Sequence, residues 1–428
     1  MISTQRIRSF FESVPGWREV ALAFSANVAV VGIGFYSFSV FFKPLAEHFG
    51  WSRALVAWGP GVSLIVSAFF APLAGRLVDK YGMRPMLMWG SMAAALSLVL
   101  MGFMQSIWQY FFLFGVIFSI ANVHMGDIVT GSTVARRFPG RPGVALGIAA
   151  VGVSFGGVIV PPFSQWIISE WGWRAGFMGL AAVAMLLVFL PAVFLLRKNH
   201  HEVNNEEPAP NKIKIESESE RSWTRSEALA STRFWKLVTV FGLGFFPLGT
   251  MLVPQVPFLT DPGIGLSTSR ATLVLSFTAA MGMAGKVIWG TLFDKIEGRW
   301  AVAASFTMQA AAIVWLLNAS TFADALIFGF FFGLGMGGMV PMHTAMRARQ
   351  FGHGYLGAIM GISSPVTMLA QAGGQPLGGW IFDITGTYHA AFYSFIACYL
   401  LGVLIIITLR DPKDEEVVDQ PEQTDSNQ

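Results

Sequence analysis

The sequence predicts an all-α membrane protein whose twelve transmembrane helices form two pseudo-symmetric six-helix bundles. Three observations carry that expectation. The 428 residues are 54% hydrophobic and only 12% charged, about half the charged share of a soluble domain. Twelve apolar runs are each long enough for a hydrocarbon core about 30 Å thick, which takes roughly 20 helical residues to cross. The runs also repeat. SRALV from Ser52 returns as SRATLV from Ser269, GRLVDK from Gly75 as GTLFDK from Gly290, and ALGIAAVG around Gly147 as IMGISSPV around Gly361. Arg53 and Arg270, Asp79 and Asp294, and Gly147 and Gly361 lie 217, 215 and 214 residues apart. Three matches in one order at nearly one spacing mark a duplication.

The first run, 18–43, holds an apolar stretch from Val20 to Phe42 behind Arg6, Arg8 and Arg18. It is too long for the core of a cleaved signal and stays as a helix. Runs at 53–75, 85–105 and 109–135 follow, then 143–169 and 174–196, where glycines allow close helix approach. Pro161 and Pro162 invite a bend in the fifth run. The polar stretch KNHHEVNNEEPAPNKIKIESESERS then reads as a flexible cytoplasmic linker. Six further runs lie at 235–259, 270–292, 300–318, 322–346, 355–382 and 388–409, with Pro247, Pro254 and Pro257 in the first of them. The expected division is a first bundle over 1–197, the linker over 198–233, a second bundle over 234–410 and an acidic, disordered tail over 411–428.

With both termini in the cytoplasm, the inner connections hold Arg76, Lys80, Arg84, Arg136, Arg137 and Arg141 in the first half alone. The outer connections hold Lys43, Arg53, Arg174 and Arg270. That asymmetry follows the positive-inside rule. Basic residues spread in this way form no nucleic-acid patch, and the lipid bilayer is the expected surrounding of a chain that needs no more than a monomer. The single Cys398 rules out an intramolecular disulfide and a cysteine metal cluster. GLGMGG from Gly333 fits a dinucleotide-binding pattern, yet it sits inside an apolar run with no preceding strand and reads as helix packing. No cofactor, metal or catalytic constellation emerges.

The stretch GRLVDKYGMR, with Gly75, Leu77, Asp79, Lys80, Gly82 and Arg84, resembles the G-x-L-x-D-R-x-G-R-R motif of the major facilitator superfamily, in its loop between helices 2 and 3. GTLFDK, with Asp294, resembles its weaker second copy. The resemblance implies secondary transport by alternating access, with Gly75, Asp79, Lys80, Arg84 and Asp294 latching the two halves. Physically, the glycine admits close helix contact, Asp79 meets a basic group and Arg84 supplies a charge-assisted bond. Within that superfamily the chain is similar to the monocarboxylate transporter family and its bacterial oxalate and formate relatives. The likeness runs through PGWREV and SVFFKPL in the first run, RRFPGRPGVALGIAAVGVSFGGVIVPP, WGWRAGF, RQFGHGYLGAIMG and GGQPLGGWIFDITGTYHAAF. It implies a small organic anion and a proton as partners, and a bacterial inner membrane as location.

A charge inside a bilayer is costly, so ionisable residues within the runs are functional candidates. Lys286 stands four residues before Gly290, where the family has a substrate-binding arginine. A lysine there is a point charge without the planar fork, and its blander role is to snorkel to the inner surface. Asp127 and His124 are three residues apart, share a helical face and form a candidate proton site. The blander alternative pairs Asp127 with Lys286 as a structural bridge. Asn122, about 200° around the helix from His124, joins Tyr36 and His343 as candidate substrate contacts. Tyr36 and Gly282 occupy positions where some family members carry a proton-handling lysine and aspartate, so those groups are absent here. One cation well inside the runs suits a monovalent anion. A co-transported proton cancels the cost of importing its charge, about 2.3 kcal/mol per 100 mV. The expected activity is proton-linked uptake of a monocarboxylate. An efflux or exchange carrier for a more hydrophobic metabolite or drug, and a membrane sensor signalling through the linker, are the alternatives.

Overall fold

The computed structural model describes residues 16–138, 142–195, 223–293, 295–352 and 355–409. The linker sequence 198–222, the tail 411–428 and Asp294 lie outside the described residues. All regular structure among the described residues is helical. The first half contains α1 (Trp17–Phe49), α2 (Arg53–Tyr81), α3 (Met83–Met101) and α4 (Ile107–Arg137). It continues with α5 (residues 142–171) and α6 (residues 173–195), which meet at Gly172, where φ is +79°. The second half contains α7 (Thr232–Leu252), α8 (Thr268–Phe293), α9 (Gly298–Leu317), α10 (Phe322–Phe351), α11 (Leu356–Thr385) and α12 (His389–Ile406). Ten helical stretches are long and apolar enough to cross a membrane, with α5 and α6 counted there as one stretch of 51 residues.

Several helices outrun their apolar segments. Hydrophobicity marks the lipid slab, whereas a helix continues until something stops it, and here the stops are glycines with positive φ. Gly50 (φ +66°) ends α1, Gly82 (φ +79°) ends α2 and Gly352 (φ +76°) ends α10. The stretch GRLVDK therefore lies in about the last two turns of α2 rather than in a loop, and Gly82 alone connects that helix to α3. Helix starts are capped where sequence rules ask for it. Ser106 with Gln109 and Thr321 with Asp324 form capping boxes at the starts of α4 and α10.

The helices are not regular throughout. Short π segments occupy Gly32–Tyr36 in α1, Phe111–Phe118 in α4 and Met185–Phe189 in α6. Gly126 is extended (φ −78°, ψ −173°) and divides α4 into a part ending at Met125 and a part beginning at Asp127. After Leu252 the chain turns through Val253 and Pro254 and resumes as the short helix Gln255–Thr260. Pro161, Pro162 and Pro247 stay within helices. Ahead of α7, Thr224 and Glu227 cap the helix Arg225–Ala230. The Trp223 amide donates to the Phe351 carbonyl at 3.0 Å, which docks this segment on the end of α10.

Buried apolar side chains fall into two clusters. One is built from residues 20–192 together with Val253, the other from residues 228–409 together with Tyr36 and Val40. On the perimeter Phe69, Trp108 and Phe194 are each more than three-quarters exposed, a surface that suits lipid and not water. The glycine-rich GLGMGG stretch packs α10 on α8, since a Cβ on Gly333 or Gly337 would collide with the Thr278 or Gly282 carbonyl.

The two halves meet closely at one end and not at the other. At the end carrying Arg53, a Cβ on Gly379 of α11 would lie 2.6 Å from the Ala54 amide of α2, and one on Gly61 would lie 3.1 Å from the Ala372 carbonyl. Further in, a Cβ on Gly157 of α5 would sit 2.7 Å from the Ala279 Cβ of α8 and 2.8 Å from the Tyr36 ring. Towards the end carrying Asp79, Gly147, Gly290 and Gly361 have open space where a Cβ would be, with nothing within 4 Å.

Candidate functional site

Below the contact of Gly157 with Ala279 and Tyr36, the interface opens around Lys286. This half-buried lysine lies on the face of α8 turned towards α5, and its Nζ donates to the Ala150 carbonyl of the first half at 3.4 Å. Asp127 attracts the ammonium electrostatically across the interface, without an ion pair within 4 Å. Asp127 itself is exposed, as the first residue after the extended Gly126. The residues placed in opposite halves by the sequence, one cation and one carboxylate, are thus neighbours on the side that opens towards Asp79.

The other candidates are arranged differently from expectation. His124 and Asp127 do not share a helical face, because Gly126 breaks the helix between them. The His124 Nδ1 lies 2.6 Å from the Ile120 carbonyl of its own helix, and its Cβ sits against Gly90 of α3. Asn122 approaches α1: a Cβ on Gly34 would be 3.3 Å from its Nδ2, and its Oδ1 is buried without a partner. Tyr36 is 5% exposed and packs into the core of the second half. The π segment that ends at Tyr36 sets its direction. His343 is buried between Phe241 and Phe245 of α7, with ring centres 4.9 and 5.6 Å away. Lys286 is also not the lone interior cation. Because α10 continues past 346, Arg347 lies inside the bundle and is fully buried.

The motif residues bind within the first half. Asp79 accepts from Arg136 Nη1 at 2.7 Å, both side chains being about half exposed or more. Arg84 donates from Nε and Nη2 to the Ala192 and Val193 carbonyls near the end of α6, at 3.3 and 3.1 Å. Lys80 lies 5.1 Å from the Tyr81 ring centre. A Cβ on Gly75 would meet only Ile128, at 3.9 Å, so close contact is not what this glycine provides here. The latch expected between the halves is, in this arrangement, a set of bonds inside one half.

The bonds between halves lie at the opposite end, and composition gave no sign of them. Asp261, between α7 and α8, accepts both arms of the Arg53 guanidinium at 2.5 and 2.9 Å and the Lys43 ammonium at 2.6 Å. Arg53 also donates to the Tyr388 hydroxyl at 2.8 Å and lies flat on Phe382, its central carbon 3.5 Å from the ring centre. Burial pushes the Tyr388 phenol far above its ordinary range, so it remains neutral beside Arg53. Asp383 of α11 accepts the Arg53 and Ala54 amides at 2.9 and 2.8 Å, capping the start of α2 from the other half. Ser39 accepts the Val256 amide at 3.0 Å. Among the described residues, the remaining hydrogen bond between halves is that of Lys286. The sequence does carry a signal for them, in that basic residues at these ends in the first half face acidic ones in the second.

The Major Facilitator Superfamily family model matches residues 24–320 and 250–426. Monocarboxylate transporter 13 of Rattus norvegicus is 26% identical over 402 residues, covering 92% of this chain and 89% of that protein. Monocarboxylate transporter 2 of Homo sapiens is 26% identical over 423 residues, covering 91% and 83%. Among solved structures, a variant of the nucleoside transporter NupG matches with a TM-score of 0.73 at 12% identity, covering 91% of this chain and 99% of that one. That likeness concerns the fold alone. The relatives are transporters and not enzymes. Fold, motif and family match agree: the chain belongs to the major facilitator superfamily, and its resemblance within it is to the monocarboxylate transporter family.

Proposed function

We propose that the chain is a secondary transporter that moves a small monocarboxylate together with a proton by alternating access. In this reading it crosses the membrane twelve times as two six-helix bundles, with the Arg53 end outside and the Asp79 end and both termini in the cytoplasm. A single observation carries the proposal: Lys286 sits between the halves with Asp127 opposite, beneath a closed end and facing an open one. The ammonium neutralises a carboxylate at the interface. Asp127, near it and accessible, is the group that exchanges a proton as the anion arrives and leaves. The ion pairs at the Arg53 end support two alternating closures, since among the described residues they join the halves only there. The relatives' names support the substrate class.

The test is uptake of labelled lactate and pyruvate by proteoliposomes. An imposed inward proton gradient should accelerate wild-type uptake, Lys286→Ala should abolish it, and Lys286→Arg should retain part of it. Uptake indifferent to the gradient, or unaffected by Lys286→Ala, overturns the proposal and leaves the carrier of a more hydrophobic solute as the better reading.

A further inference from the structure

The last turns of α10 enclose a guanidinium that has no acidic partner among the described residues. Arg347 has no exposed surface, and it is the one basic side chain other than histidine that is fully buried among the described residues. Its Nη1 donates to the His343 carbonyl at 2.8 Å, and its central carbon lies 5.3 Å from the Phe241 ring centre. Its Nε and Nη2 are buried and meet no acceptor. These two nitrogens form one edge of the guanidinium, whose parallel N–H bonds match the two oxygens of a carboxylate. His343 is one turn away on the same face, and its Nε2 is likewise buried and unpartnered. Two donors of one fork and a neighbouring ring nitrogen therefore stand ready between α7 and α10. A buried charge left without a counter-charge is strongly unfavourable, so a free anion is the natural complement.

We propose that Arg347 and His343 form a second anion site, which holds one small monocarboxylate in the second half. The fork requires two oxygens on one carbon, and assigning them to the transported solute rests on the transport reading above. The enclosed position between α7 and α10 excludes a lipid headgroup, which acyl chains hold at the bilayer surface. The contacts of Gly333 with Thr278 and of Gly337 with Gly282 run α10 alongside α8 in one direction, so Lys286 is level with Pro341 and Arg347 lies further along α10. The second site thus lies more than one helical turn nearer the Asp79 end than the first. A carboxylate leaving Lys286 meets another cation before it reaches water.

The experiment uses the full chain in phosphatidylcholine nanodiscs and equilibrium binding of radiolabelled lactate, with chloride as competitor. Wild type should bind two lactates per chain and Lys286→Ala one. In the Lys286→Ala background, Arg347→Lys should weaken the remaining site at least tenfold while leaving chloride competition unchanged, because lysine keeps the charge and loses the fork. Arg347→Met in the same background should remove the site. Should the methionine variant fail to fold, the lysine variant carries the test. Lactate binding in Lys286→Ala that neither Arg347 substitution alters, or no binding at all in Lys286→Ala, overturns the second site. Wild-type transport by Lys286→Ala with Arg347-dependent binding intact would instead overturn the transport reading and leave this site standing.

Discussion

Removing the Asp261 charge should open the Arg53 end. The carboxylate holds two cations of the first half, Lys43 at 2.6 Å and Arg53 at 2.5 and 2.9 Å, with side-chain exposures between 13% and 27%. A hydrogen bond to a charged group contributes about 1.5–3 kcal/mol, and partial exposure discounts it. Two such attachments, so discounted, amount to about 3 kcal/mol. At 1.4 kcal/mol per tenfold, the balance between closed and open forms should move about a hundredfold. A closed population of 99% would fall to about half. Asp261→Asn keeps the shape and loses the charge, so it isolates this contribution. The assay is a distance between spin labels on cysteines placed at Glu47 and Thr387, which are exposed and in opposite halves, in a Cys398→Ser background. The variant should show a second, longer distance at substantial population. A distribution identical to wild type for both Asp261→Asn and Asp261→Ala would refute the assignment of this cluster as what holds the end closed.

Three further expectations follow from particular contacts. Gly157→Ala places a methyl group 2.7 Å from Ala279 and 2.8 Å from Tyr36; overpacking of about 1–3 kcal/mol should slow uptake about tenfold in folded protein, and an unchanged rate would show that α5 and α8 have slack there. His124→Gln should preserve the pH dependence of uptake within about twofold, since this ring is bonded within its own helix, whereas Asp127→Asn should flatten it; the reverse outcome would return the proton to His124. Asp79→Asn removes an ion pair between side chains 64% and 51% exposed, worth under about 1 kcal/mol, so the thermal midpoint should shift by no more than about 2 °C, and a larger loss would mean that the motif carries structure beyond this pair.

The repeat and the apolar runs were legible because both are one-dimensional signals: matching words at one spacing, and length against membrane thickness. The helix ends were not, as α2 shows, because apolarity reports the lipid boundary and Gly82 the backbone stop. The attraction between Asp127 and Lys286 was legible from charge alone, although the two form no ion pair within 4 Å. Asp127 and His124 do not share a face for a local reason, since i and i+3 do so only if the residues between them are helical, and Gly126 is not. The closure at Arg53 depends on which acidic and basic ends face each other, a long-range fact that composition does not encode. Arg347 stands just beyond the apolar run 322–346, where a basic residue ordinarily marks the inner surface, although the helix carries it inward.

The π segments have a consequence for how two copies of one ancestral half come to differ. All three found among the described residues are in the first half. A helix that takes up one extra residue as a wider turn keeps its ends and the facing of its flanking turns, while the residues of the wider turn itself are re-aimed. Divergence by such single insertions re-aims residues without lengthening a connection or disturbing the order of the helices. In α1 the wider turn ends at Tyr36, the side chain that leaves its own half to pack in the other. Point substitution changes what a position is; an insertion of this kind changes what an unchanged sequence faces.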